Sequence, residues 1–575
     1  MTVVEEMIED PLENPPLWSL HSLRMHMAIL ISCAMLIQGL MRGSFGMAVV
    51  CFVPEKGEVN GTLQLGCNGE EKTIEKTIKA ITSEYTVDWS SSELSSIHTA
   101  FYIGSFISVL LVDKVNKKFG AKKVLTIGTT LSAIGCLLSP LVIIAFPTTF
   151  PITAVRFVMG IGYAFVIPCG SVIISRWFPT HERSTAMAVF TTGNQIGIAI
   201  AMLLTSRICE LTLLGGWPIS FEVYGIFALF FVAMWFWRAA NKPREHSHIT
   251  ACELEYITGR ASSKARAVSV VVSTPYKKIF TSTAVLSICL CSFSQSFVVI
   301  GLVTYLPQYY QQALHMDLSS NGLFSSVPFI VQVVTKLSFA LLADNLKARN
   351  VSVDLITKSF NALASFGAAA CIILISFFGC AHSTLILILM AVSMGLFSGF
   401  VPGYNTSIVT IAPQFTSTVS VYSQIYSQMG SALVPVIVGL TTPNGTVEEW
   451  RRVFYILAGV LAFSGLFFQI FGTAHPEPWG EISHHSERPS LLVTTERDEE
   501  WKEETNGVNG TIVEESENHL SPLSSFSTLS LPKRISRVSY NDVDEVIRIP
   551  STLDINEPIS DDDSCDRFTV TDGMA

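Results

Sequence analysis

The stretch MGIGYAFVIPCGSVIISRWFPTHERS, residues 159–184, has a counterpart in MGLFSGFVPGYNTSIVTIAPQFTS, residues 394–417. Pro168 and Pro402 stand 234 residues apart, and Pro179 and Pro413 keep the same spacing. One register therefore relates an earlier half of the chain to a later half. Apolar segments repeated in this way, with prolines interrupting them at matching places, mark secondary transporters, whose site lies at the interface between repeats.

Around these two stretches the chain is a succession of apolar runs. A bilayer core needs about 20 mostly apolar residues per helix. Twelve runs qualify: 25–50, 93–113, 124–146, 151–175, 186–206, 219–238, 281–307, 320–343, 356–378, 384–410, 419–440 and 452–473. Six fall in 25–238 and six in 281–473. The fold class expected is all-α and polytopic, with twelve transmembrane helices in two six-helix repeats. Composition agrees: charged residues are 15%, where a soluble domain carries about a quarter, and mean hydropathy is +0.45. The first run begins too late and is too long for a signal peptide.

Lysine and arginine in the loops set the orientation. The connection after the second run carries Lys114, Lys117, Lys118, Lys122 and Lys123. The one after the sixth carries Arg238, Lys242, Arg244, Arg260, Lys264, Arg266, Lys277 and Lys278. Those after the third, seventh and ninth carry none. Residues 1–24, the connector 239–280 and the tail 474–575 are thus expected in the cytosol. The loop 51–92 faces the lumen or the outside. It holds the glycosylation sequon at Asn60, and Cys51 and Cys67, which can pair there. The sequon at Asn444 lies on the same side.

Charge is split along the chain. Residues 474–575 hold 22 acidic against 8 basic residues, and residues 1–473 hold 25 against 29. The tail is also poor in apolar residues, so nothing offsets its ordering entropy and disorder is expected. Glu487, Leu491 and Leu492 resemble an acidic dileucine signal for sorting adaptors, or are a chance hexamer. That signal favours an intracellular vesicle or lysosome membrane, with the plasma membrane as the alternative. No basic stripe interleaves with aromatics, so nucleic acid is not an expected partner. Twelve cysteines occur without a CxxC, and neither a metal set, a cofactor motif nor a nucleophile–base pair stands out. The chain does not read as an enzyme.

A charge at mid-membrane costs about 3 kcal/mol on insertion scales, and its default reading is functional. Arg42, Arg156 and His98 fall in the first, fourth and second runs at comparable depth, in the half away from the connector. No acidic residue in the runs shares that depth. Guanidinium groups without an acid partner suit an anion, since their planar fork matches carboxylate or phosphate. Alternatively Arg42 pairs with backbone carbonyls, Arg156 snorkels to the interface and His98 is a structural hydrogen-bonder. Lys336, in the eighth run, is either a second cation for the anion or another snorkelling side chain. Gln295, in the seventh, is interhelical glue or a ligand contact.

The architecture resembles the major facilitator superfamily, and the details resemble its solute-carrier anion transporters: sialin, the vesicular glutamate and nucleotide transporters and the sodium/phosphate cotransporters. The resemblance covers residues 24–480. It is carried by GLMRGSFGMAVV, HTAFYIGS, KKFGAKK, RFVMGIGYAFVIPCG with WFPTHERS, GGWPISFEVYGIF, TYLPQYYQQALHMDLSSNGLFSSVPF, GFVPGYNTSIVTIAP and HPEPWG. It implies that Arg42 is the family's substrate arginine, Arg156 its span 4 arginine and His98 its span 2 histidine. The chain departs from the family at Tyr163, where proton-coupled relatives have glutamate, and at Gln295, where the glutamate transporters have arginine. Ser407, Ile408 and Thr410 replace the family's Asn-His-x-Asp, and Lys336 takes an ordinarily apolar place. The function expected is secondary active transport of a small organic anion by alternating access, driven by membrane potential, a co-transported proton or sodium ion, or both. Sodium-coupled phosphate uptake is the alternative. A transport-dead receptor or scaffold is the reading from another class.

Overall fold

In a bilayer the long apolar runs satisfy their backbone groups only as helices or closed barrels, and their lack of strict alternation selects helices. The computed structural model describes residues 22–53, 86–146, 148–179, 182–211, 216–250, 253–257 and 274–480. Within them are twelve helical spans: α1 Leu23–Phe52, α2 Ser91–Phe119, α3 Ala121–Ala145, α4 Thr149–Trp177, α5 Arg183–Glu210, α6 Trp217–Arg238, α7 Thr283–Gln312, α8 Leu318–Ala348, α9 Val353–Ile375, α10 Ser383–Thr410, α11 Thr416–Thr441 and α12 Val447–Phe471. All but α11 are both long and apolar enough to cross a membrane. The exception is as long as the others but rich in Ser, with Gln424 and Gln428 in its middle.

Several spans outrun their apolar cores. The polar caps say why. Asp317 accepts from the Ser320 N–H at 3.0 Å and starts α8. Thr446 and Glu449 form a reciprocal capping box that starts α12. Side-chain oxygens at these positions satisfy the first orphan N–H groups, so the helix extends beyond the hydrocarbon-facing residues.

The two halves repeat in packing as well as in sequence. In the first, α1 packs on α5, α2 on α4 and α3 on α6; in the second, α7 packs on α11, α8 on α10 and α9 on α12. The matching prolines also interrupt matching helices. α4 breaks at Phe165, and Pro168 sits in the first turn of its second piece, Val166–Trp177. α10 breaks over Ser398–Phe400 and resumes at Tyr404, past Pro402. A proline has no N–H for the carbonyl four residues back, so a kink or break follows.

Call the side where α1 begins the connector face and the opposite side the disulfide face. Cys51, at the end of α1, is bonded to Cys209, at the end of α5. This corrects the expected Cys51–Cys67 pairing. Cys51 and Cys209 come together because α1 and α5 are direct neighbours whose ends adjoin on this face. Cys67, the Asn60 sequon and the signal at Glu487, Leu491 and Leu492 lie outside the described residues.

The halves meet through α2 with α11, α5 with α8 and α1 with α7. Toward the disulfide face the contacts are close: the Ser95 hydroxyl donates to the Pro435 carbonyl, Gln311 to the Val50 carbonyl at 3.3 Å, and Gly46 lies against Val303 and Thr304. Midway, Ser105 donates to Gln428 at 3.1 Å.

A candidate anion site between the two halves

Helices α1 and α5 touch backbone to backbone. A Cβ on Gly39 would sit 2.5 Å from the Asn194 carbonyl oxygen, and one on Gly197 would sit 2.1 Å from that of Leu36. Small residues permit this approach, as at many transmembrane helix interfaces. The result is that Arg42, one turn beyond Gly39, reaches straight across to α5. Its Nη2 donates to Asn194 Oδ1 at 3.0 Å. Its Nη1 donates to the Tyr163 hydroxyl, from α4, at 2.8 Å, and the guanidinium carbon is 5.4 Å from the centre of the Tyr163 ring. Arg42 is buried, and its Nε has no hydrogen-bond partner.

Arg156 is also buried and does not snorkel. Its guanidinium lies 4.0 Å from the Phe45 ring centre and 4.8 Å from that of Phe101. Two of its nitrogens, Nε and Nη1, have no hydrogen-bond partner. Aromatic faces attract a cation by about 0.5–2 kcal/mol each, but they do not neutralise it. His98 packs edge-on against Phe45 at 5.2 Å and against Tyr305 of α7 at 5.4 Å, and its Nε2 is likewise without a partner. Phe45 thus touches both Arg156 and His98, and it lies one turn from Arg42. The three residues expected at one depth are gathered around one turn of α1. Tyr163 joins them, since its ring also meets Phe101 at 5.4 Å.

Lys336 belongs to the same region. Its ammonium is buried and donates to the Thr191 hydroxyl of α5. It bridges the two halves rather than snorkelling. Thr191 and Asn194 are three residues apart, about 4.5 Å along the α5 axis. One turn of α5 therefore receives Arg42 from its own half and Lys336 from the other. Gln295 is engaged elsewhere: it accepts from Tyr404 of α10, within the second half.

The carboxylates of the described spans stay near helix ends. Glu93, Glu448 and Glu449 fall in first turns, Glu210 ends α5, and Glu222 is five residues into α6. None bonds to Arg42, Arg156 or Lys336. Buried Glu253 and part-buried Glu182 instead serve a third arginine, Arg24, at the start of α1. It is fully buried and pairs with Glu182 at 2.7 Å and Glu253 at 3.2 Å. Glu253 also accepts from Ser22 Oγ and the N–H groups of Leu23 and Arg24, so a connector residue caps α1. Sequence reasoning missed this cluster, and it missed Thr191 and Asn194. The polar run Thr191, Thr192, Asn194, Gln195 in mid-span was the available signal.

Asn444 lies at the disulfide face, and its Nδ2 donates to Glu449 at 3.1 Å.

The sequence pattern of the Major Facilitator Superfamily matches residues 31–422. The chain belongs to that superfamily of membrane transporters. It is 29% identical over 495 residues to the "Uncharacterized transporter slc-17.3" of Caenorhabditis elegans, covering 82% of this chain and 92% of that one. It is 27% identical over 471 residues to "Vesicular glutamate transporter 2.1" of Danio rerio, covering 81% and 76% respectively. Among solved structures it resembles an inward-open conformation of the xylose transporter XylE from E. coli, with a TM-score of 0.56 at 15% identity over 78% of this chain and 96% of that one. That likeness shows the fold. The chain is a multi-pass membrane transporter of that superfamily.

Proposed function

We propose that this transporter carries a small organic anion, that Arg42 is its principal ligand, and that membrane potential is the main drive. The observation that carries the reading is the partner set of Arg42: a phenol and an amide, both neutral, with Nε free. A buried guanidinium with only neutral partners retains its full charge, and an anion is what completes it. Arg156, held by ring faces alone, reinforces the positive potential. Lys336 adds a cation from the second half, so an anion seated against α5 is contacted from both halves. Rocking of the halves about this point gives alternating access.

The drive follows from the same charges. At the place where the resemblance implies a carboxylate for proton coupling, this chain has Tyr163, already committed to Arg42. Moving one net charge is worth about 2.3 kcal/mol per 100 mV, enough to concentrate an anion on the positive side. The connector face is read as cytosolic from its lysines and arginines. The Cys51–Cys209 disulfide on the other face suits an oxidising lumen or exterior. A vesicle or lysosome membrane is the proposed location, in keeping with a similar relative named as vesicular.

Uptake of a panel of labelled anions into proteoliposomes tests this. The reading expects at least one organic anion to be taken up by the wild-type protein and not by Arg42→Ala. A panel in which only inorganic phosphate with a sodium gradient is transported would replace it with phosphate cotransport. A panel with no uptake at all would point to a receptor or scaffold.

A further inference from the structure

One large cavity lies away from the seam between the halves. It lies at the connector face, beside the ends of α3 and α6, with a volume of about 1050 Å³. Its walls are of two kinds. Lys122 and Lys123, in the first turn of α3, and Arg238, in the last turn of α6, bring three cations to it. Among the described residues Glu245 is the one acid that lines it, and His246 and His248 add to the polar side. The other side is apolar and open. Ile127, Phe236 and Trp237 are 51%, 60% and 82% exposed.

The polar wall is built. Asn241 Oδ1 accepts the Lys122 N–H at 2.8 Å, which locks the connector onto the start of α3. His246 is hydrogen-bonded to the Arg238 carbonyl at 3.2 Å and meets Trp177 edge-on at 5.8 Å. The Lys122 ammonium lies 5.3 Å from the Phe236 ring centre. Burial holds His246 below the usual imidazole range, so the lysines and the arginine supply the fixed positive charge.

We propose that this cavity holds the headgroup of an anionic phospholipid, its phosphate on Lys122, Lys123 and Arg238 and its acyl chains along Ile127, Phe236 and Trp237. A soluble anion would use the cationic wall alone, although the apolar wall beside it is exposed on two membrane spans. A lipid uses both walls at once. The level is right as well, because helix ends carrying Trp and Arg or Lys lie at the headgroup layer. Basic pockets between helices on the cytosolic side have the chemistry for phosphorylated headgroups. This site is separate from the anion site at Arg42 and stands whether or not that site transports.

The test is equilibrium binding to the full-length purified protein. The probes are short-chain phosphatidylinositol 4-phosphate, short-chain phosphatidylcholine and free inositol 1,4-bisphosphate. The first should bind saturably and the other two at least tenfold more weakly. Lys123→Gln with Arg238→Gln, both at exposed positions, should weaken the first by about tenfold or more. Trp237→Ser should also weaken it, while leaving the thermal midpoint unchanged. Equal binding of the free headgroup would show a soluble-anion site and overturn the lipid assignment. Lipid binding that ignores both sets of substitutions, or no binding at all, would overturn the site itself.

Discussion

The Arg42 guanidinium donates to the Tyr163 hydroxyl at 2.8 Å, so α4 meets this buried cation with an uncharged hydrogen-bond acceptor rather than a carboxylate. The contact satisfies one N–H group and leaves the charge intact. Tyr163→Glu would place a carboxylate beside Arg42 and cancel that charge. Uptake by this variant should lose most of its voltage dependence and become sensitive to pH. Vesicles with voltage set by potassium and valinomycin, assayed across a pH series, check this. Unchanged voltage dependence would mean that the Arg42 charge is not what moves.

Arg42→Lys keeps the charge and loses the fork. A lysine cannot bond Tyr163, Asn194 and an anion in the same plane. Loss of one charge-assisted hydrogen bond is worth about 1.5–3 kcal/mol, or roughly 10- to 150-fold in affinity. Competition by unlabelled anion should show a loss of that size in Arg42→Lys. Wild-type affinity would count against a two-pronged contact.

Lys336→Met should reduce uptake by about tenfold while leaving the protein folded. The side chain has one described hydrogen bond, to Thr191, and methionine fills similar volume without leaving a buried charge. Thr191→Val removes the acceptor alone and should be milder. The two rates, compared at equal protein abundance, separate a ligand role for the lysine from a structural one. Equal losses would favour the structural role.

At the connector face, removing one acid from the buried Arg24 cluster should be severe. Glu253→Gln takes away a charge partner from a fully buried guanidinium, and breaking such pairs costs about 3–5 kcal/mol. The thermal midpoint should drop well below wild type. An exposed pair such as Arg451–Glu448 is worth at most about 1 kcal/mol, and Glu448→Gln serves as the control.

The disulfide gives a further expectation. Cys51→Ser should destabilise by about 2–5 kcal/mol, because the Cys51–Cys209 link closes a long loop. Cys67→Ser should leave the midpoint unchanged, which distinguishes the two possible partners directly.

Much of the fold was legible, and the reason is physical. A bilayer demands about 20 apolar residues per span, so every span left a mark, and Pro168 with Pro402 recorded the repeat. The depth of Arg42, Arg156 and His98 could be read by counting residues along helices. What counting could not supply was azimuth. Residues at one height can face anywhere, and the sequence did not say that Gly39 and Gly197 would press α1 onto α5 and turn Arg42 toward Asn194. The same limit hid Thr191 as the partner of Lys336. Cys209 was overlooked as the partner of Cys51 because pairing depends on which helix ends adjoin. The Arg24 cluster draws Glu253 from the connector, a segment read only for its positive charges.

The central claim, that an uncompensated buried cation binds an anion and the loaded carrier moves charge, is tested most directly by uptake under clamped voltage. Wild-type protein in liposomes is given labelled anion with potassium and valinomycin setting the potential, first with no pH gradient and then with a pH gradient at zero potential. The account predicts concentrative uptake in the first condition, little in the second and none in Arg42→Ala. Full uptake driven by pH at zero potential, or uptake that survives in Arg42→Ala, would contradict it.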